Sequence, residues 1–463
     1  MAQISMHQYD KSLHHAEVIQ DVFTPSQNST FTPLAFDKSK MLKKKVFGYL
    51  PYWQFLSTPA NLQYDLLTHI ACFDFSCDSI GNIAAPLYWP WTDVINKSHS
   101  NGVKVVVSVT CFNGKYIHQI ITTSSIQQKI FTNLGNLLSQ YQLDGINIDF
   151  ENLLNTDSGL LFNNFITSLR SYLNSNYPSA ELSVATPPLT AGWDMNSLSA
   201  SCDYLFLMGY NYYGSWSAIT GPTAPLLGAG ASINDMVTIQ YGSVSNKQKL
   251  ILGVPYYGIK WTTRTNQAHA SVTKFIDYTT FSSDYANALK YGELWSSADQ
   301  TPWYTYPGDT GWTQVWYDNA KSLGLKYDLA ESNNFGGVGI WALGYDNGTS
   351  VLWNELRSRY FITQAVKDGN NSSSERNFRP VLTNYPNPFN PSTTISLTLP
   401  HDGNACVTLV NSIGVEMAKI NEGYMVKGNH QFYFNAATFP SGIMFLKLDF
   451  EGMQTIKPIL LLK

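Results

Sequence analysis

LDGINIDFEN, residues 143–152, is the stretch that decides how this chain is read. In an extended strand alternate side chains face opposite ways, so Ile146, Ile148 and Phe150 share one face and Asn147, Asp149 and Glu151 the other. In a closed parallel barrel the apolar face packs beneath the surrounding helices, and the polar face points into the lumen, where an unpaired carboxylate is costly. Strand rise sets the two carboxylates roughly 6.6 Å apart, close enough for Asp149 to raise the proton affinity of Glu151. Glu151 comes last on the strand, at the C-terminal mouth where the active sites of such barrels gather, and reads as a general acid.

Working outward, short apolar runs alternate with helical patterns. Runs at 46–50, 69–75, 103–110, 145–150, 181–186, 204–210, 250–255 and 337–342 number eight, which predicts an α/β fold of (β/α)8 TIM-barrel type over 44–362. A polar, Thr-, Ser- and Tyr-rich stretch after the seventh run predicts a small insertion at about 262–311. Residues 1–43 form an N-terminal extension whose His14 and His15 have no evident task. A Ser/Asn-rich linker at 363–380 separates the barrel from 381–463, where alternating runs between Gly, Asn and Pro turns predict a β-sandwich.

Composition narrows the partners. With 29 basic and 33 acidic residues in 463, a net charge of −4 leaves no electrostatic footprint for nucleic acid or an anionic membrane. Aromatic residues (14%) outnumber charged ones (13%), a balance that suits a neutral, sugar-like ligand. Five cysteines, Cys72, Cys77, Cys111, Cys202 and Cys406, are too irregular for a disulfide framework and lack metal-ligand spacing, so no metal and no cofactor are expected. No apolar run reaches the length of a membrane span, and a monomer is expected. The polar start, 1–23, lacks the apolar core of a signal peptide, so export would use another signal or a leader already removed.

Four segments together resemble glycoside hydrolase family 18. LDGINIDFEN is similar to its signature D-G-x-D-x-D-x-E, with Asp144, Gly145, Asp149 and Glu151 matching and Asn147 in place of the middle Asp. MGYNYYG (208–214) resembles the sixth-strand segment with Asn211 for Asp; LGVPYYG (252–258) and GGVGIWALGYD (336–346) resemble the seventh and eighth. The resemblance implies a retaining, substrate-assisted glycosidase acting on a β-linked N-acetylglucosamine polysaccharide such as chitin. It implies that Glu151 is the acid and base, that Asp149 holds the acetamido N–H, and that Tyr210 binds the acetamido carbonyl. Trp341 would be the floor under the reacting sugar. Met208, Asn147 and Asn211 would line the substrate site, with Asn147 donating its amide hydrogen to Asp149. Tyr49, Trp53 and Tyr256 are expected as further sugar-contacting aromatics, as are Tyr52, Tyr212, Tyr213 and Trp216, each near a strand end. Trp89, Trp91, Trp303 and Trp312 fall in predicted loops. The Asn substitutions raise one alternative, a peptidoglycan- or N-glycan-directed enzyme; a catalytically inactive chitin-binding lectin, which the resemblance implies where the acid is lost, is the other, and the presence of Glu151 and Asp149 speaks against it.

At the other end, NYPNPFNPSTT (384–394) and the closing KPILLLK resemble the C-terminal sorting domain of the bacterial type IX secretion system. That resemblance implies secretion machinery as a partner and a secreted or cell-surface bacterial protein. A carbohydrate-binding sandwich is the rival reading.

Overall fold

Runs rich in Val, Ile and Leu, buried on both faces, become the staves of a closed barrel in the computed structural model. The structure describes residues 5–14, 30–35, 42–361, 380–399, 401–411, 415–450 and 453–463; His15 and the expected linker up to residue 379 lie outside them. Eight parallel strands, Lys45–Pro51, His69–Cys77, Lys104–Cys111, Gly145–Phe150, Glu181–Thr186, Tyr204–Met208, Leu250–Pro255 and Gly337–Trp341, pair in sequence order. The first strand pairs with both the second and the eighth, which closes the barrel.

The fourth strand shows how the sequence achieves this. Phe150 stacks on Phe165 of the helix Leu160–Asn176 at 5.9 Å, while Ile146 and Ile148 are fully buried. Gly145 is needed for close approach, since a Cβ there would sit 2.5 Å from the Glu181 carbonyl oxygen of the next strand. In the lumen the polar layer is knitted by Asn147, whose Oδ1 accepts from the Tyr49 hydroxyl (2.9 Å) and the Ser108 hydroxyl (3.1 Å). Its amide donates to Ser183 Oγ at 3.0 Å. The expected bond from Asn147 to Asp149 is thus replaced by one across to the fifth strand, because the neighbouring stave offers an acceptor at the same height.

After the seventh strand the chain makes an antiparallel five-stranded sheet. Its order is Val272–Thr280, Tyr257–Thr263, Gly311–Trp316, Thr301–Gly308 and Leu294–Ser296, with the helix Phe281–Tyr291 between. The sheet thus begins before the polar stretch that betrays it and ends after it. Ile259, Trp261, Trp303 and Trp316 form its own small core, in which Trp303 stacks on Trp316 at 5.3 Å. Trp303 and Trp312 therefore lie on strands rather than in loops, and Trp89, Trp91 and Trp303 are buried.

Behind the barrel, Lys326 of the helix Ala320–Ser332 forms a buried ion pair with Asp318, which also accepts from Ser322 Oγ at 2.6 Å. Both charged side chains are essentially without solvent. Removing one partner strands the other, so Lys326→Met is expected to cost about 3–5 kcal/mol. Denaturant unfolding followed by tryptophan fluorescence checks this; a loss below about 1 kcal/mol, the range of an exposed pair, would contradict it.

Residues divide into two units, Met1–Ile362 and Thr363–Lys463. The second has a three-stranded sheet, Val381–Tyr385, Ser392–Leu399 and Gly428–Asn435, and a four-stranded sheet built on Gly403–Val410. Both contribute to one core that includes Ile395, Leu397, Val407, Leu409, Leu446 and Leu448, which makes the unit a β-sandwich. All five cysteines are free thiols, and no described helix is long and apolar enough to cross a membrane.

Candidate active site

Asp149 and Glu151 emerge on the lumen side at the C-terminal mouth, as the strand period requires. Asp149 is fully buried and Glu151 is 8% exposed. As carboxylates, Asp149 Oδ1 and Glu151 Oε1 both lack a hydrogen-bond donor. A single proton held by Glu151 toward Asp149 relieves both, and the two groups are hydrogen-bond partners. Burial first, and then the Asp149 charge, pushes Glu151 up to about 8. Burial, followed by the Asp74 charge, also holds Asp149 well above the usual carboxylate range.

Asp74 is a member of this group that alternation along the second strand conceals. A bulge between Phe73 and Phe75 gives the strand one extra residue and turns the Asp74 carboxylate toward the lumen, where Thr110 and Ser76 donate to it.

Tyr210 and Asn211 follow the sixth strand. Tyr210 is buried beside Asp149 and Glu151. Asn211 takes a left-handed backbone (φ 66°), which Asn tolerates; its N–H donates to Thr223 Oγ1 at 3.1 Å and its Oδ1 accepts from the Tyr257 hydroxyl at 2.9 Å. Trp341 ends the eighth strand, fully buried, with its indole beside Tyr49 and Phe73. Trp53, in a turn after the first strand, donates to the Tyr345 hydroxyl at 3.2 Å.

Beside Glu151 a cavity of about 490 Å³ opens, lined by Glu151, Trp193, Met208, Tyr210 and Asn211 among others. Trp193 was invisible as a site residue because it lies in a turn rather than at a strand end. Tyr256 is a correction. It points outward, against Trp353 of the helix Ser350–Tyr360 and close to Tyr327, while the next residue, Tyr257, is the one that faces inward. Tyr213 packs against the insertion core and Trp216 covers Gly214; neither of them, nor Tyr212, lines the cavity.

The N-terminal extension is the second correction. Residues Met6–His14 form a helix that lies in the barrel mouth. His7 is fully buried, stacks on Trp341 with ring centres 3.7 Å apart, and places Nδ1 2.7 Å from Asp149 Oδ2 and Nε2 2.7 Å from the Tyr210 oxygen. Burial lowers His7 to about 4, so the ring is neutral at pH 7. The tautomer that donates from Nδ1 to Asp149 and accepts from the Tyr210 hydroxyl at Nε2 satisfies every partner. His7, Asp149 and Glu151 also have the spacing of a metal triad, yet both ring nitrogens are already engaged. Asp10 accepts from the Trp341 indole (2.9 Å) and the Tyr345 hydroxyl (2.8 Å). His14, far from idle, stacks on Trp53 at 4.5 Å and 7°.

A parallel barrel with a buried acidic pair at its C-terminal mouth, an aromatic floor and an adjoining cavity defines a glycoside hydrolase type of site. The sequence pattern of the glycosyl hydrolases family 18 matches residues 45–346, and the chain belongs to that family. Human di-N-acetylchitobiase is 26% identical over 271 residues, covering 53% of this chain and 68% of its own. The cortical fragment-lytic enzyme of Bacillus anthracis is 22% identical over 316 residues, 64% and 69% of the two chains. The chain spans about half the length of the first curated relatives it matches, 57% and 45% for those from Bacillus subtilis and Caenorhabditis elegans. Among solved structures, a family 18 chitinase from Cycas revoluta in complex with (GlcNAc)3 superposes with a TM-score of 0.61 at 18% identity, covering 68% of this chain and 99% of that one. The likeness is one of fold.

Proposed function

We propose that this protein hydrolyses β-1,4-linked N-acetylglucosamine polymers with retention of configuration, using the substrate's acetamide as the nucleophile. The observation that carries this reading is the convergence of Asp149, Tyr210 and the Trp341 face on one spot beside Glu151. A sugar lying on Trp341 would set its acetamido N–H toward Asp149 and its carbonyl oxygen toward the Tyr210 hydroxyl. The carbonyl oxygen would then attack the anomeric carbon while Glu151 protonates the departing oxygen. Glu151 would next deprotonate the water that opens the ring intermediate, whose positive charge Asp149 offsets. Chitin hexamer should yield shorter oligomers that are β-anomers at early times by NMR; α-anomers, or no turnover, would defeat the proposal.

Asn147 and Asn211 remove two charges from the lumen and favour a second reading, a peptidoglycan- or N-glycan-directed enzyme. Relative rates on chitin, purified sacculi and a core N-glycan decide between them. An inactive lectin is disfavoured by the intact pair of Asp149 and Glu151.

For 381–463 we propose a type IX sorting role, and with it a secreted or surface-held bacterial protein. A reporter bearing this sandwich should leave cells that have the machinery and stay inside those lacking it. The carbohydrate-binding rival has one feature in its favour: exposed Tyr385 and Tyr433 both register with Thr394 on one sheet. Retention of the reporter on chitin beads would support that rival.

A further inference from the structure

We infer that the helix Met6–His14 is a built-in competitive inhibitor, held in the substrate site by groups that copy an N-acetylated sugar. The inference rests on the sugar reading of that site. An acetamide presents an N–H on one side and an acceptor oxygen on the other; the neutral His7 ring does the same with Nδ1–H and Nε2. It delivers them to Asp149 and Tyr210, each at 2.7 Å, and lies 3.7 Å over the Trp341 ring, the place and the partners assigned to the reacting sugar.

The imitation continues along the helix. One turn on, Asp10 takes the indole N–H of Trp341 and the Tyr345 hydroxyl, and one turn beyond that His14 lies flat on Trp53 as a second pyranose ring would. Lys11 inserts its ammonium between Asp74, Ser76 and Thr110. On the flanks Tyr9 donates to Asp277 of the insertion (2.8 Å), and Gln8 accepts from Asn152 (2.9 Å). Six of the nine helix residues thus bond or stack on the barrel or its insertion.

A nine-residue helix is too short to be stable alone in water. Its apolar contribution to docking is small, Met6 being buried in the core and Tyr9 packed partly against it while Leu13 is exposed, so most of its contacts are polar ones with the rim of the cleft. The cavity beside Glu151, on which only Ser5 and Met6 of this segment border, remains open. The helix therefore fills the spot assigned to the reacting sugar and leaves the adjoining cavity free.

A tethered competitor raises the apparent KM by the factor (1 + K), where K is the docking constant, and leaves kcat unchanged. The test compares three forms of the protein on chitin hexamer: the full chain, the full chain with His7→Ala and Asp10→Ala, and the chain lacking residues 1–14. KM should fall at least about ten-fold in both altered forms with kcat held within about two-fold. A peptide of residues 5–14 added in trans should restore inhibition competitively, whereas the same peptide carrying His7→Ala should not. Equal KM in all three forms, or a peptide without effect, overturns the inference.

Calorimetry with N-acetylglucosamine trimer separates this idea from the hydrolase reading. Trimer binding that tightens when the helix is altered, without turnover in any form, keeps the inference and removes the hydrolase. Turnover with unchanged binding does the reverse. No binding and no turnover in any form defeats both.

Discussion

Glu151→Gln, made in the chain carrying His7→Ala and Asp10→Ala so that the cleft is open, is expected to lower kcat on chitin hexamer by about 10²–10⁴-fold, the usual worth of a positioned acid–base group. Gln keeps the shape of Glu but cannot release a proton to the departing oxygen. The same variant should bind N-acetylglucosamine tetramer as tightly as its parent, because the contacts assigned to the sugar, Asp149, Tyr210 and Trp341, are untouched. Calorimetry and initial rates check both halves. Turnover near the parent's would remove Glu151 from the role of acid; loss of binding with loss of rate would point to a collapsed site instead. Unaltered, Glu151 sits beside a carboxylate and His7, so the rate comparison is clean only with His7 out of the way.

What could be read from the sequence follows a single rule, and so do the failures. Alternation along a strand placed Asn147, Asp149 and Glu151 in the lumen and Ile146, Ile148 and Phe150 beneath helices, and the eight staves lie where the apolar runs are. The rule breaks where the strand does. At the seventh strand the tyrosine that faces inward is Tyr257 rather than Tyr256, because the chain leaves Leu250–Pro255 and starts a new strand at Tyr257, so parity cannot be carried across. At the second strand the bulge at Asp74 adds one residue, and a carboxylate that strict alternation after the inward Phe73 would turn outward joins the acidic group.

The N-terminal helix was illegible for a different reason. MHQYDKSLH offers only Met6, Tyr9 and Leu13 at helical spacing, too short a run to stand out, and its meaning lies in partners 142, 203, 331 and 63 residues away, for His7 with Asp149, His7 with Tyr210, Asp10 with Trp341 and Lys11 with Asp74. Pattern along a chain reports self-contained amphipathic elements; a segment stabilised by someone else's polar groups looks like loop. A histidine and an aspartate three residues apart in a stretch of low apolar content were the available signal, and they specify nothing until the barrel mouth is known.

Asp149→Asn tests how that mouth tunes its acid. In the proposed reaction Glu151 must carry a proton at the outset, so the rate falls as pH rises through its pKa, which, with the helix docked, burial and the Asp149 charge push up to about 8. Replacing Asp149 by Asn removes the negative neighbour, and the amide can also donate to the Glu151 carboxylate. Both effects favour the charged form of Glu151, which lowers its pKa and moves the alkaline limb of kcat/KM toward lower pH. On the proposed mechanism the same variant deprives the acetamido N–H of its charged acceptor and the ring intermediate of its counter-charge, so kcat should fall about 10²–10³-fold, as when one preorganised charge-stabilising group is removed elsewhere. Burial, the larger cause of the raised proton affinity of Glu151, is not removed by this substitution, which limits how far the limb can travel. Rates between pH 4 and 10 on chitin hexamer, again with His7 and Asp10 replaced, measure both quantities. A limb that stays in place or moves upward would mean that burial alone sets the proton affinity of Glu151, and the electrostatic coupling between the two carboxylates would have to be given up.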